Sequence, residues 1–123
     1  MKKRILLIDD EADIINLVSM RLETAGYKVL KAMTAEEALK MLKKEEVDLI
    51  LLDLVLPNMQ GQALCKKIKA DDSLKKIPVI IFTACSTDVT DPLKGLCADD
   101  IVLKPFEPED LLAKIAKLIG SEK

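Results

Sequence analysis

Three unbroken apolar runs constrain the fold of this chain more than any other feature: Ile5-Leu6-Leu7-Ile8, Leu49-Ile50-Leu51-Leu52 and Val79-Ile80-Ile81-Phe82. A strand with one wet face alternates apolar and polar residues, whereas an unbroken run must be covered on both faces, as in a parallel sheet. Shorter strand segments are expected at about Lys28 to Ala32 and at Ile101-Val102-Leu103. Helical spacing fills the intervals. Residues 12 to 25 place Ile14/Ile15, Val18 and Leu22 on one face, with Gly26 as the stop. Thr34-Ala35-Glu36-Glu37 reads as a capping box opening a helix to about Lys44, with Ala38, Leu39 and Leu42 inward. A loop with Pro57 and Gly61 precedes a helix carrying Leu64 and Ile68. The last helix has Pro108 in its first turn, Leu111/Leu112, Ile115 and Leu118/Ile119 on its inner face, and Gly120 at its end. Strands alternating with helices imply right-handed crossovers and an α/β, doubly wound parallel sheet with helices on both faces. No internal repeat, low-complexity stretch or linker interrupts the pattern, so residues 1–123 are expected to form one domain with no output domain attached.

Composition removes several function classes. At 123 residues there is room for one domain but not two. Half of the residues are apolar but only 2% are aromatic, so the core must be aliphatic and no stacking platform for single-stranded nucleic acid is available. The net charge is −2 and basic residues are interspersed with acidic ones, which argues against direct nucleic acid binding. No apolar run approaches the ~20 residues that span a bilayer, so no membrane association is expected. The segment from Met1 to Ile8 superficially resembles a signal peptide, but its apolar run is short and ends in two aspartates. Three cysteines, Cys65, Cys85 and Cys97, form no CxxC, and the chain has no histidine. This argues against zinc and against a disulfide framework. Each cysteine reads as a small buried hydrophobe, in keeping with a cytoplasmic location.

Chemistry concentrates where the strands end. In open α/β sheets ligands bind beyond the carboxyl ends of the strands. Those ends carry Asp9-Asp10, Asp53, Thr83 and Lys104. Each alone has an ordinary reading: a helix cap for Asp10 or Asp13, a strand terminator for Thr83, a surface lysine for Lys104. Together they form a coherent set. Clustered carboxylates repel one another, a hard divalent cation relieves that repulsion, and Mg²⁺ favours a few carboxylates with waters and phosphate oxygens. A carboxylate can act as nucleophile and take up a phosphoryl group, with Lys104 and the Thr83 hydroxyl stabilising its charge.

The ordered motifs resemble the receiver domain of two-component response regulators (CheY-like). Ile5-Leu6-Leu7-Ile8-Asp9-Asp10-Glu11 is similar to its start, Leu51-Leu52-Asp53-Leu54-Val55-Leu56-Pro57 to its phosphoacceptor segment, and Phe82-Thr83-Ala84 and Ala98-Asp99-Asp100-Ile101-Val102-Leu103-Lys104-Pro105-Phe106 to the remainder. The resemblance implies a flavodoxin-like (βα)5 fold, a three-layer α/β/α sandwich with strand order 2-1-3-4-5. The first and last helices would share one face and the middle three the other. It implies phosphorylation of Asp53, Mg²⁺ held by Asp10, Asp53 and the Val55 carbonyl with Asp9 acting through water, and phosphoryl contacts from Thr83 and Lys104. It also implies a cis Lys104–Pro105 bond. The partners implied are a sensor histidine kinase or phosphotransfer protein as donor, and a downstream protein target or fused output domain. The chain would catalyse only its own phosphorylation and dephosphorylation.

Three departures from the family pattern stand out. Ile101 occupies the place of an aromatic that turns inward on activation, so weaker switching is expected. Pro92 and Gly95 disfavour helix, so the connecting helix between the fourth and fifth strands is expected to be short or mobile. Val55 and Cys85, two residues past Asp53 and Thr83, are apolar and orient an attacking water poorly, so self-dephosphorylation should not be fast. Cys85 as a redox-sensitive thiol is the lesser reading beside a buried, inert one. Competing functions are a pseudo-receiver that is never phosphorylated, a relay or phosphate sink without its own output, and an aspartyl-phosphate phosphatase. The last wants Asp-x-Asp after the first strand, which Asp9-Asp10-Glu11 does not supply. Flavin and dinucleotide binding lack a glycine-rich phosphate loop.

Overall fold

The computed structural model describes residues 3–53, 61–83, 98–103 and 107–120. Five parallel strands form one sheet: β1 (Arg4–Ile8), β2 (Lys28–Ala32), β3 (Leu49–Asp53), β4 (Val79–Thr83) and β5 (Asp100–Leu103), in the order β2-β1-β3-β4-β5. The described helices are α1 (Ala12–Thr24), α2 (Ala35–Lys44), α3 (Gly61–Ala70) and α4 (Pro108–Ile119). The expected strand order and doubly wound architecture are thus observed.

The central strands are buried on both faces because successive side chains point to opposite sides. Leu6, Ile8, Ile50, Leu52, Val79 and Ile81 join Ala38 and Leu42 of α2 and Leu64 and Ile68 of α3 in one cluster. Ile5, Leu7, Leu49, Leu51, Ile80 and Phe82 join Ile15, Val18 and Leu22 of α1 and Leu111 and Ile115 of α4 in the other. The first and last helices therefore share a face opposite α2 and α3. Ile101 is half-buried against the cluster beneath α2 and α3, an aliphatic filler where the family pattern has an aromatic.

Local chemistry sets the helix ends. Thr34 caps α2 by accepting from the Glu37 N–H at 3.1 Å, while Glu37 reaches back to the Met33 N–H at 3.3 Å. Gly26 and Gly120 end their helices at φ of 100° and 88°, a backbone region that disfavours other residues. Pro108 opens α4 in its first turn. The Tyr27 hydroxyl donates to the Gly120 carbonyl at 3.0 Å, tying the start of β2 to the end of α4.

Two lysines fix the edge strand that carries the chain to Lys104. The Lys69 ammonium donates to the Ile77 carbonyl (2.7 Å) and to Asp99 (3.0 Å), and the same Asp99 oxygen accepts the Val79 N–H at 2.8 Å. Lys114 in α4 donates to Asp100 at 3.1 Å and to the Ile101 carbonyl at 3.0 Å. The first pair joins α3 to the start of β4 and to the approach to β5, and the second joins α4 to β5.

One alternative reading and one sequence expectation are corrected. Neither Asp10 nor Asp13 caps α1; Glu11 is the N-cap residue, and no side chain caps there. The residue that reverses the chain into α1 is Asp9, whose carboxylate takes the Glu11 N–H. Cys65 is fully buried among apolar side chains, as expected, but it is disulfide-bonded. An odd cysteine count excludes pairing of all three and leaves one pair possible, so the count does not support a reducing compartment. The other cysteines, Cys85 and Cys97, lie outside the described residues, as do Val55, Pro57, Lys104, the Lys104–Pro105 bond and the connection with Pro92 and Gly95.

The sheet's central strand offers a direct stability test. Leu51 is fully buried in β3. Leu51→Ala is expected to lower the unfolding free energy by about 2–5 kcal/mol, measured by urea denaturation. A loss well under about 1 kcal/mol would mean that β3 is not the packed centre described here.

Candidate functional site

All five strands run in one direction, so their carboxyl ends share a rim. Strand β1 ends at Ile8, and the Asp9 N–H still donates to the Ala32 carbonyl at 3.1 Å, extending the pairing with β2 by one residue. Asp9 is completely buried, and its Oδ1 accepts the Glu11 N–H at 2.9 Å. An aspartate that bonds the backbone two residues ahead makes a tight turn, and here it turns the chain into α1. Asp10 and Glu11 are left exposed at the mouth. Strand β3 ends at Asp53, which is 6% exposed and lies opposite Phe82 of β4.

These elements bring four carboxylates together. Asp9, Asp10, Glu11 and Asp53 each place one carboxylate oxygen within 4.8 Å of the others. Two are buried and two face solvent. Like charges at that spacing repel by about 1 kcal/mol per pair even in a water-like dielectric, and by more where water is excluded. The amino end of α1, which begins at Ala12, offsets part of this through its partial positive charge. The donor set fits a hard divalent cation: every ligand is an anionic oxygen, two are anchored by burial, and the open side admits water or phosphate oxygens.

The sequence-predicted residues fall into two groups. Asp9, Asp10 and Asp53 converge as expected. Thr83 is the last residue of β4, paired with Leu103 of β5 and next to the residue opposite Asp53, so its backbone lies on the same rim. Val55 and Lys104 are outside the described residues; Lys104 directly follows Leu103 in the chain. Glu11 is the member of the cluster that the sequence reading had not assigned. Its signal was adjacency to Asp9-Asp10, but a residue at a strand-to-helix turn can face either way. Asp13, also acidic and close in sequence, is exposed in the first turn of α1 and is not one of the four.

Comparison with known proteins follows the same lines. The family model for the response regulator receiver domain matches residues 5–116. The chain is 40% identical over 120 residues to the "probable transcriptional regulator ycf27" of Porphyridium aerugineum, covering 96% of this chain and 48% of that protein. It is likewise 40% identical over 117 residues to the regulatory protein VanR of Enterococcus faecium, covering 94% of this chain and 49% of that protein. The chain thus spans about half the length of these curated relatives. Among solved structures, a CheY-like receiver domain protein from Methanospirillum hungatei superposes with a TM-score of 0.86 at 33% identity, over 95% of this chain and 93% of that one.

Crowding of charge at the rim predicts a stability trade. Asp10→Asn is expected to raise the thermal midpoint in the absence of divalent ions, by on the order of 1 kcal/mol in stability. It should also abolish most of the ~2–3 kcal/mol that saturating Mg²⁺ adds to the unmodified chain. Thermal denaturation with and without Mg²⁺ measures both; a destabilised variant with an unchanged Mg²⁺ response would refute the crowding.

Proposed function

The chain belongs to the response regulator receiver family, and on that premise we propose that it accepts a phosphoryl group on Asp53 and changes its protein contacts in response. The observation that carries this reading is the seating of Asp53: a buried carboxylate at a strand end, grouped with Asp9, Asp10 and Glu11. Its fixed position spares the nucleophile a search for geometry. In the reaction a carboxylate oxygen of Asp53 attacks phosphorus, a P–O bond forms, and the P–N bond of a phosphohistidine donor breaks, with the imidazole leaving. A bound Mg²⁺ supplies positive charge against the phosphoryl oxygens and the carboxylates. Asp10, Asp53 and the Val55 carbonyl would hold it, with buried Asp9 acting through water. Thr83, the last residue of β4, and Lys104, which follows Leu103 of β5 in the sequence, would contact the phosphoryl oxygens.

This chain has no histidine, so the donor is a separate group on a sensor histidine kinase or phosphotransfer protein. Residues 1–123 act in this reading as one receiver unit, catalysing only its own phosphorylation and dephosphorylation. Relatives named as probable transcriptional regulators are about twice as long, and in this reading output would run through a fused domain or a docked protein, with no nucleic acid contacts from this region. No described helix is long and apolar enough to cross a membrane. Val55 and Cys85, two residues past Asp53 and Thr83 in the sequence, are both apolar, so the modified state should persist beyond seconds.

The test is incubation with acetyl phosphate and Mg²⁺, followed by intact mass. The expected result is a gain of one phosphoryl group, absent in Asp53→Asn and absent when Mg²⁺ is chelated. No gain in the unmodified chain, or an equal gain in Asp53→Asn, would overturn the assignment.

A further inference from the structure

We propose that a cavity at the amino ends of the strands, at the opposite end of the sheet from the acidic rim, is a docking site for an Arg or Lys side chain of a partner protein. The aliphatic stem would lie on the cavity's apolar wall, with the charged head among the carboxylates at its mouth.

The cavity holds about 580 Å³ and lies between the end of α2 and the connection from α3 to β4. Its size is that of a small-ligand pocket. Its wall is aliphatic: Leu42 is buried, while Val47, Leu74 and Ile77 are half-buried against the cluster beneath α2 and α3. Those three keep apolar surface in water, and a stem laid across them would remove it. Both sides are braced with no occupant present. On one side the Arg4 N–H donates to Asp48 at 2.7 Å and its guanidinium to Glu45 at 2.9 Å. On the other the Lys69 ammonium donates to the Lys75 carbonyl at 3.3 Å and the Ile77 carbonyl at 2.7 Å. A site already formed spares its ligand the cost of ordering it.

Charge selects the occupant. Four carboxylates, of Glu45, Glu46, Asp48 and Asp71, line the cavity against one ammonium, that of Lys43. Arg4 engages Glu45 and Asp48, and among the described residues no cation pairs with Glu46. The Ser73 hydroxyl and N–H donate to Asp71 at 2.6 and 2.8 Å and hold its carboxyl below the usual value, so it stays charged. Helices α2 and α3 both end at the cavity, and the carboxyl end of a helix carries partial negative charge. A metal ion is not the fit. Among the described residues, the carboxylates close enough to share one are those at the rim. Here the charges border an aliphatic wall, which suits an ammonium or guanidinium on an apolar stem.

The test is titration of the isotope-labelled chain with the peptide Ac-Ala-Leu-Arg-Leu-Ala-NH₂, read from backbone amide shifts. Saturable shifts are expected at residues 42–48 and 71–77, with residues 9–11 and 53 unmoved. Citrulline in place of the arginine keeps the shape without the charge and should weaken binding by about fivefold or more. A guanidinium on a stem two methylenes shorter should weaken it by about as much. The double variant Glu46→Gln with Asp71→Asn should match the citrulline loss, whereas Glu23→Gln with Glu109→Gln, an equal charge change at exposed positions on the other face, should stay within about twofold. Glu46→Gln alone should lose part of the affinity and serves if the first double variant fails to fold, which urea midpoints report. No saturable shift, equal affinity for the citrulline peptide, or equal losses in the two double variants would overturn the proposal. Spermidine moving the same signals at lower concentration than the peptide would assign the cavity to a free polyamine and overturn the protein partner.

Discussion

Holding Asp9 and Asp53 out of water at the mouth of an aliphatic sheet opposes folding, because two carboxylates lose solvent and repel one another. The strands beneath supply the compensation. Ile5 to Ile8, Leu49 to Leu52 and Val79 to Phe82 are buried on both faces, and their packing fixes where each strand ends. The rim cannot relax by letting a strand slide, since side chains of different shape fill a close-packed cluster on each face and a shift of one residue would exchange them. The acidic pocket is therefore a consequence of register, and a divalent cation seated there would relieve its repulsion.

The secondary devices act on the same register. Lys69 joins α3 to the start of β4 and to Asp99, and Lys114 joins α4 to β5 through Asp100 and the Ile101 carbonyl. Neither ammonium lies on the rim, yet both determine where β5 delivers the chain that continues to Lys104. Partly exposed ion pairs of this kind add little stability alone. Here their bonds to backbone carbonyls make them positional rather than stabilising.

Much of this was legible in the residues. Unbroken apolar runs announced a sheet covered on both faces, and the helical face of Ile15, Val18 and Leu22 is the one that packs. Thr34 and Glu37 marked a helix start through a short-range bond that sequence spacing encodes directly. Asp9, Asp10 and Asp53 were legible because strand ends in a parallel sheet must share a rim. What was not legible depended on direction rather than position. Asp10 and Asp13 are good capping residues, and nothing in their spacing says that Asp9 turns the chain while Glu11, at the cap, turns its carboxylate toward the pocket. The disulfide of Cys65 was obscured for a related reason: counting cysteines says which pairings are possible and nothing about which side chains meet.

The account stands on one geometric claim, that carboxylates remote in sequence form a single cation pocket at the carboxyl ends of the strands. Paramagnetic broadening of backbone amide signals by substoichiometric Mn²⁺ tests it most directly. Selective loss of signals from residues 9–11 and 53, with those of residues 42–48 and 71–77 at the opposite end of the sheet left sharp, is the predicted result. Broadening centred on the acidic groups near Glu46 and Asp71, or spread evenly over the surface, would contradict it.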